Sequence, residues 1–430
     1  MLVVWVVLFL GMIAGGKNLT VSFDTRIFYS EQNQLLQQLR GFERKFSHNN
    51  NILFVISPRD ERDGRIATVE TLEALVDITD QAWRLPHSTQ VESLSNFPRI
   101  VSDEDAFSVL EMVPSSGRLT PSAAAAIERE ALNDRLVVNR LLSADGRTTG
   151  VNVNFRLPQS ASSEVQEITE AAHQFVQKIE ADYPHLQVHL TGNVMLMTTF
   201  NEASHVDAQL LVPVALIVAA IIVAVFLRSR NGTIAVLSIL GVASLASMGI
   251  AGWFGHIITP ASIAAPIIVI SIALASTIHV VIAVKHELAS GADNKTAIKQ
   301  AIRTNAAAVG LTNLTTAVGF LAMNRADAPP LNDMGNIVFA GIVLSYLLTF
   351  TWLPAVLTLL PMKPSKDRSG ALMAAVGRSI NRLRWLLLIM VTAGVLATIG
   401  GLGQIRLDDD FVRYFDDRFE YRVASDFAEE

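Results

Sequence analysis

Long apolar runs separate this chain into two kinds of sequence. One run opens the chain, residues 17–205 have an ordinary mixed composition, and the chain after residue 205 is apolar almost to its end. A helix needs about 20 apolar residues to cross a bilayer. Six further runs near that length predict transmembrane helices at 206–227, 232–253, 260–284, 305–323, 334–360 and 385–403. With the shorter first run, residues 1–16, the pattern predicts seven transmembrane helices.

The mixed region alternates between strand and helix patterns. Three segments have the composition of strands, and the second of them shows period-two alternation: 51–57, 150–157 and 186–192. Helical patterns lie between these segments, at 69–83, 122–132 and 163–183. Strands and helices in this order predict an α+β domain with helices on one face of a sheet.

Basic residues concentrate in alternate connections between the apolar runs. Lys and Arg occur at 228–230, 285–303 and 363–384, whereas the opposite connections contain Arg325 and, after the last run, Arg406. Basic loops stay on the cytoplasmic side of a membrane. The pattern therefore predicts a multi-pass protein of the cell inner (plasma) membrane, with residues 17–205 extracytoplasmic. The basic, amphipathic connection at 291–304 is predicted to lie in the membrane interface.

Domain boundaries follow from these patterns. The segment after the last run has a short strand-like stretch followed by acidic and aromatic residues, as does the segment after the first run. This partial repeat predicts the start of a second extracytoplasmic domain, and hence the first half of a duplicated transporter. We expect helix one at 1–16, an extracytoplasmic domain at 17–205, helices two to six at 206–361, a cytoplasmic linker at 362–384, helix seven at 385–403 and the second domain beginning at 404–430.

Composition supports a membrane protein and argues against several functions. The chain of 430 residues is 50% hydrophobic and 17% charged, with a mean hydropathy of +0.37. The net charge is −6 and there is no extended basic run, so nucleic acid is not an expected partner. Cysteine is absent, as are the HExxH, GxSxG and P-loop motifs, so we expect no metal site, no cofactor and no enzymatic activity.

One ionisable side chain lies inside the run at 260–284. His279 is costly in hydrocarbon unless it faces polar neighbours. Ser276 and Thr277 come just before it, and Ser276 is at an i, i+3 spacing that shares a helix face with His279. We expect these three side chains to form a proton relay or a gate that faces the polar residues of the run at 305–323, namely Thr312, Asn313, Thr315 and Thr316. The alternative is a packed histidine bonded to a neighbouring carbonyl or hydroxyl, with threonines that bond to their own helix.

Several short motifs occur in order along the chain, among them VESLSNFPRI at 91–100, HLTGNVMLMTTFNE at 189–202, LTNLTTAVGFLAM at 311–323 and FDDRFEYRVASDF at 415–427. Together with the order of helices, they resemble the resistance–nodulation–division (RND) superfamily, in the branch of MmpL-type lipid exporters, hopanoid exporters and sterol-sensing-domain proteins. The resemblance implies an α-helical membrane protein with seven transmembrane helices plus an α+β extracytoplasmic porter domain of ferredoxin-like subdomains.

The resemblance also implies proton-driven export of a hydrophobic or lipid-like molecule, with helices two to six as a sterol-sensing-like bundle. The partners it implies are a membrane lipid or amphiphilic substrate, and a second transporter half or a second copy in a homo-oligomer. One position departs from the branch, which often has an acidic residue where Ser276 stands. Either His279 carries the proton alone, or this half is not proton-coupled. The alternative function is a non-transporting, lipid-sensing membrane regulator.

Overall fold

The computed structural model describes residues 2–46, 50–59, 64–103, 106–115, 119–157, 162–363, 369–405 and 410–429. These residues belong to two units, each described here on its own. The helical unit comprises Met1–Thr20, Asp207–Ala326 and Pro330–Asp410. The α+β unit comprises Val21–Val206, Asp327–Pro329 and Phe411–Glu430. Part of the predicted linker, residues 364–368, and the stretch 406–409 with Arg406 lie outside the described residues.

The elements below are numbered in chain order within the described residues. The α-helices are α1 (Leu2–Ala14), α2 (Gln34–Lys45), α3 (Val69–Ala82), α4 (Pro121–Asn133), α5 (Ser162–Asp182), α6 (Asn193–Leu227), α7 (Arg230–Trp253), α8 (Ala265–Ala289), α9 (Asn294–Leu321), α10 (Pro329–Leu359), α11 (Ser369–Gly401) and α12 (Glu420–Glu429). The longer strands are β1 (Asn51–Pro58), β2 (Ser88–Ser93), β3 (Pro98–Asp103), β4 (Ala106–Glu111), β5 (Thr149–Phe155) and β6 (Leu186–Thr191).

A four-stranded antiparallel sheet in the order β2–β5–β1–β6 organises the α+β unit. Phe54 of β1 stands opposite Val151 of β5 on one side and Leu190 of β6 on the other. Helix α3 follows β1 and α5 follows β5, so the four strands and these two helices have the connectivity of a βαββαβ motif. Strands β3 and β4 form a separate antiparallel hairpin between β2 and β5.

The core of this unit packs one face of the sheet against α3 and α5. Ile52, Phe54 and Ile56 of β1 are all buried, because alternate residues of a strand point to the same face. The ring of Phe54 meets that of Phe175 of α5 edge to face, with centroids 5.5 Å apart. The side chain of Thr68 caps α3, which satisfies one of the backbone N–H groups left open at a helix start.

The strand and helix patterns of the mixed region lie within two residues of observed elements. The three predicted strands are β1, β5 and β6, and the three helical patterns are α3, α4 and α5. The sequence pattern missed β2, whose residues STQVES are mostly polar. This strand forms by pairing with β5 along its whole length, with a register shift between Ser88 and Gln90.

The described residues contain six helices that are long and apolar enough to cross a membrane. They lie at Asn193–Leu227, Arg230–Trp253, Ser262–Ala289, Asn294–Arg325, Pro329–Leu359 and Val376–Gln404. The first apolar run forms α1, an apolar helix of 13 residues, which is shorter than the other six. The protein is therefore a helical, multi-pass membrane protein, and six of the seven predicted spans have spanning length.

Helix α9 begins earlier than its apolar run. The side chain of Asp293 caps it by accepting hydrogen bonds from the backbone N–H groups of Lys295, at 3.2 Å, and Thr296, at 3.3 Å. From Asn294 onward the connection at 291–304 is the first part of α9. The cap lets this helix start among polar residues, and the position of the connection in the membrane interface stays a prediction.

Two glycines bring α7 into contact with the end of α1. A Cβ atom on Gly252 would lie 2.0 Å from the carbonyl oxygen of Gly15, and one on Gly249 would lie 2.1 Å from that of Met12. The indole Nε1 of Trp253 donates a 2.9 Å hydrogen bond to the carbonyl of Gly11. Small residues thus let two helix backbones approach closely, as is usual in membrane proteins.

The C-terminal residues pack on the α+β unit. Phe415 and Tyr421 are buried in its core, and the hydroxyls of Ser425 and Thr191 lie 2.7 Å apart, joining α12 to β6. The ring of Phe427 lies 4.7 Å from that of His189. Residues 411–429 therefore complete the first α+β unit, while the assignment of 404–430 as the start of a second domain stays a prediction.

Candidate functional site

A polar pair joins α8 to α9 in the interior of the helical unit. The amide Nδ2 of Asn313 donates to the hydroxyl of Ser276 at 2.9 Å, and that hydroxyl lies 3.2 Å from the amide oxygen of Asn313. Both side chains are buried. The second amide hydrogen bond of Asn313 goes to the carbonyl of Val309, 2.9 Å away on its own helix. Burial of these groups is tolerated because each has a partner.

A second polar contact links α8 to α10 beside the first. The hydroxyls of Thr277 and Thr349 lie 3.2 Å apart, and both side chains are fully buried. Each hydroxyl also donates to its own helix, Thr277 to the carbonyl of Ala273 and Thr349 to that of Ser345. Consecutive residues of α8, Ser276 and Thr277, therefore reach two different neighbouring helices. Thr349 was missed in the sequence, because one threonine in an apolar run carries no distinguishing pattern.

His279, three residues after Ser276, lies on the adjoining, exposed part of the α8 surface. Its side chain is exposed, with no hydrogen bond or ion pair to any residue that the structure describes. It belongs to a stripe of exposed residues along α8, hereafter the outer stripe: Ser271, Ala275, His279, Ile282 and His286. Asn313 bonds to Ser276, and within the described residues no hydrogen bond joins it to His279. The predicted role of His279 in a relay or gate stays a prediction.

The three threonines of α9 bond to their own helix. The hydroxyl of Thr312 donates to the carbonyl of Ala308 at 3.0 Å, and those of Thr315 and Thr316 donate to the carbonyl of Thr312 at 2.9 and 2.8 Å. Thr312 and Thr315 are exposed and Thr316 is half-buried. This geometry matches the alternative in which threonines satisfy themselves. Among the described residues, no hydrogen bond joins these three hydroxyls to Ser276 or Thr277.

The chemistry available at this site follows from its residue types. Serine, threonine and asparagine side chains donate and accept hydrogen bonds but do not change charge near neutral pH. Histidine does. The interior of the bundle therefore offers a neutral hydrogen-bonded network, and the outer stripe offers the one titratable group of α8 between residues 265 and 284.

A further polar contact lies at one end of the helical unit. The Nδ1 atom of His256, in the connection between α7 and α8, lies 2.8 Å from a carboxylate oxygen of Asp333 in the first turns of α10. This pair ties the connection to α10. No cluster of three or more metal-binding side chains occurs among the residues described.

Comparison with known proteins agrees with the architecture. No curated protein matches this chain. The MMPL family, in contrast, matches residues 29–399, which is most of the chain and includes most of both units. That match confirms the resemblance to RND transporters of the MmpL branch. The matched residues contain β1 to β6 and five of the long helices in full, so the match does not rest on one motif. This multi-pass membrane protein belongs to the MMPL family.

Proposed function

We propose that this chain is one half of an RND-type secondary transporter, rather than an enzyme, and that it exports a hydrophobic or lipid-like molecule across the cell inner membrane. Family membership supports the transporter class. The observation that carries the rest is the exposed position of His279 on a helix of spanning length. Ionisable residues within membrane helices mark ion and substrate pathways, and rarely face lipid.

The outer stripe also supports a partner. A histidine that faces hydrocarbon is unfavourable, so a polar surface covers it in the assembled protein. Thr312 and Thr315 of α9 are exposed as well, and α9 packs against α8. We propose that a second transporter half, or a second copy of this chain, packs on this side of α8. His279 would then lie between two halves, where a proton can pass without entering lipid.

The partner proposal can be tested with single cysteines, because the chain has none. A benzophenone maleimide attached to Ala275→Cys on the outer stripe should crosslink to a protein in native membranes. The matched control is Leu245→Cys on α7, which is also exposed on a membrane helix and should crosslink to lipid. Lipid crosslinks alone from position 275 would contradict the proposal, since they would place the outer stripe against the bilayer.

The transport proposal rests on the proton that His279 would carry. In inverted membrane vesicles, export of a fluorescent monoacylglycerol driven by a pH gradient should be lost in His279→Ala and in His279→Asn. Ser271→Ala, two turns away on the same stripe, should keep export. Membrane insertion is checked by the amount of each variant in the membrane. Export by His279→Ala that equals the parent at several external pH values would overturn the relay.

We propose that the α+β unit is the extracytoplasmic porter domain. Its βαββαβ connectivity supports a ferredoxin-like subdomain, and the basic connections support its position outside the cytoplasm. In intact cells, Glu73→Cys on α3 should react with a membrane-impermeant maleimide, whereas Lys295→Cys near the start of α9 should react only after the cells are opened. Both positions are exposed. The reverse result would invert the topology.

A second candidate is a lipid-sensing regulator without transport, built on a sterol-sensing-like bundle. The neutral network supports it, because Ser276 bonds to Asn313 where the related exporters often have an acid. The two functions differ in their dependence on a proton gradient. A regulator should bind lipid equally with and without a gradient, and His279→Ala should leave that binding unchanged. Gradient-driven movement of the fluorescent lipid would exclude it.

A further inference from the structure

Helix α2 of the α+β unit exposes the residues that an amphipathic helix normally buries. Leu35, Leu39, Phe42 and Phe46 follow one another at spacings of four, three and four residues, and all four are exposed. The rings of Phe42 and Phe46 stack with centroids 4.5 Å apart. These four side chains are named the α2 stripe. An apolar stripe of this kind on an extracytoplasmic surface usually contacts an apolar molecule.

The buried side of α2 holds one apolar side chain, Leu36, and an ion pair. The Oε1 atom of Glu43 lies 2.7 Å from a guanidinium nitrogen of Arg26, and the side chains are 4% and 17% exposed. Arg26 also donates to the amide oxygen of Asn50 at 3.3 Å and lies 3.5 Å from Asp24. A buried ion pair adds little to stability compared with apolar packing. Because the Arg26–Glu43 pair lies beneath an apolar stripe, it can contact the polar part of a bound ligand.

Two adjoining pockets run along α2. The first, of about 410 Å³, is bounded by Tyr29, Leu35 and Leu39, with the pair of Arg26 and Glu43 at its base. The second, of about 370 Å³, shares Leu39 and Glu43 with the first and continues past Phe42 over the sheet. Both volumes fall in the range of small-molecule sites. Shared walls make them one elongated site, hereafter the α2 groove.

The far wall of the α2 groove is the second face of the sheet. Residues 151, 153 and 155 of β5 point into the core, so Asn152 and Asn154 point the other way, together with Gln90 and Glu92 of β2. Amide side chains both donate and accept hydrogen bonds. The groove thus has an apolar side on α2 and an amide-rich side on the sheet, which is the division that an amphiphile needs.

Charge decides which head group fits. The two arginines that line the pockets are each paired with a carboxylate, Arg26 with Glu43 at 2.7 Å and Arg140 with Glu92 at 3.1 Å. The charges of the lining side chains therefore balance, and Asp24 beside Arg26 adds a further negative charge. A phosphate head group would meet carboxylates without a surplus of cations. Hydroxyl groups suit amides and carboxylates alike, because they donate and accept.

We propose that the α2 groove binds an amphiphile with a neutral, hydroxylated head group, with its acyl chain along the α2 stripe and its hydroxyls on the amide-rich wall. The proposal rests on the proposed function only for the lipid-like class of substrate. Binding here needs no transport. A protein partner on the α2 stripe is the competing occupant.

The test is equilibrium binding of a fluorescent monoacylglycerol to the full chain in amphipol. Unlabelled monooleoylglycerol should compete, and oleoyl phosphate, which has the same chain but an anionic head, should compete about tenfold more weakly. Leu39→Gln, in the wall shared by both pockets, should weaken binding about tenfold. Leu136→Gln is the matched control, because Leu136 is an exposed leucine of the same unit outside the groove.

Three results would overturn the proposal: equal loss of affinity in both leucine variants, no loss in Leu39→Gln, or stronger competition by oleoyl phosphate. Leu39 is exposed, so its replacement leaves the core intact, and a thermal unfolding curve checks this. Separately, Phe42→Cys that crosslinks to a second protein and so blocks the probe would also overturn the proposal, because it would assign the stripe to a protein partner. His279→Ala should bind the probe normally, so loss of export in that variant would not contradict binding in the α2 groove.

Discussion

The amide nitrogen of Asn313 lies 2.9 Å from the hydroxyl of Ser276, and this contact joins α8 to α9 inside the bundle. The related exporters often have an acid at the position of Ser276. A carboxylate there would bring charge into the interior, whereas serine keeps the contact neutral. His279, the titratable side chain of α8 between residues 265 and 284, is exposed and takes no part in this contact.

The Ser276–Asn313 contact should be measurable as a coupling energy. In a double-mutant cycle of Ser276→Ala and Asn313→Ala, we expect a coupling of about 0.6 kcal/mol, the average for hydrogen bonds between membrane helices. Unfolding in detergent, followed by helical circular dichroism, measures it. The control cycle pairs Ser276→Ala with Thr315→Ala, whose hydroxyl bonds to its own helix, and should give no coupling. A coupling of zero in the first cycle would refute the contact.

Close packing of α7 on the end of α1 makes Gly252 intolerant of a side chain. Gly252→Ala should destabilise the helical unit by about 1–3 kcal/mol, because its Cβ would lie 2.0 Å from the carbonyl oxygen of Gly15. Gly241→Ala is the control on the same helix, with no atom within 4 Å of the added Cβ. We expect it to be neutral or stabilising, since alanine favours a helix more than glycine does. Equal thermal stability of the two variants would contradict this packing.

The hydroxyl of Tyr183 should titrate at a higher pH than that of an ordinary tyrosine. Burial and a 2.8 Å hydrogen bond to Asp77 raise the pKa of its hydroxyl from 10.0 to about 12. The folded state therefore favours the neutral form, and this stabilisation is complete below pH 10 and disappears as the pH rises through 12. In an absorbance titration of tyrosinate, the component that titrates at the highest pH should be absent from Tyr183→Phe. Tyr414→Phe, at an exposed tyrosine, should keep that component.

The C-terminal segment should stabilise the α+β unit. Phe415 is buried, and its ring lies 4.8 Å from that of Phe200. Phe415→Ala should lower the free energy of unfolding by about 3–5 kcal/mol, the usual cost of removing a buried aromatic ring. Arg418→Ala, three residues away with an exposed side chain, should change it by less than about 0.5 kcal/mol. Thermal unfolding of the full chain compares them, and a stable Phe415→Ala would mean that the segment packs elsewhere.

Periodicity in the sequence was enough to predict most elements. Strands β1, β5 and β6 alternate or run apolar because a sheet face is buried, and α3 to α5 show a helical pattern for the same reason. The long apolar runs predicted α6 to α11, since length and hydropathy alone suit a helix to a bilayer. Charge in the connections also predicts the orientation of the helices, which stays a prediction. Periodicity, length, hydropathy and charge are local properties, which each segment has independently of its neighbours.

Packing decided the rest. Helix α8 is apolar nearly all round, so its sequence does not tell which side faces α9. The contact of Ser276 with Asn313 shows which side it is, and with this orientation of the helix His279 is exposed. Strand β2 is polar and forms because β5 offers it a partner far along the chain. The α2 stripe is visible in the sequence as an amphipathic pattern, but only the fold leaves it uncovered beside an ion pair. Contacts between distant residues are not encoded in local periodicity, and the candidate sites of this protein consist of such contacts.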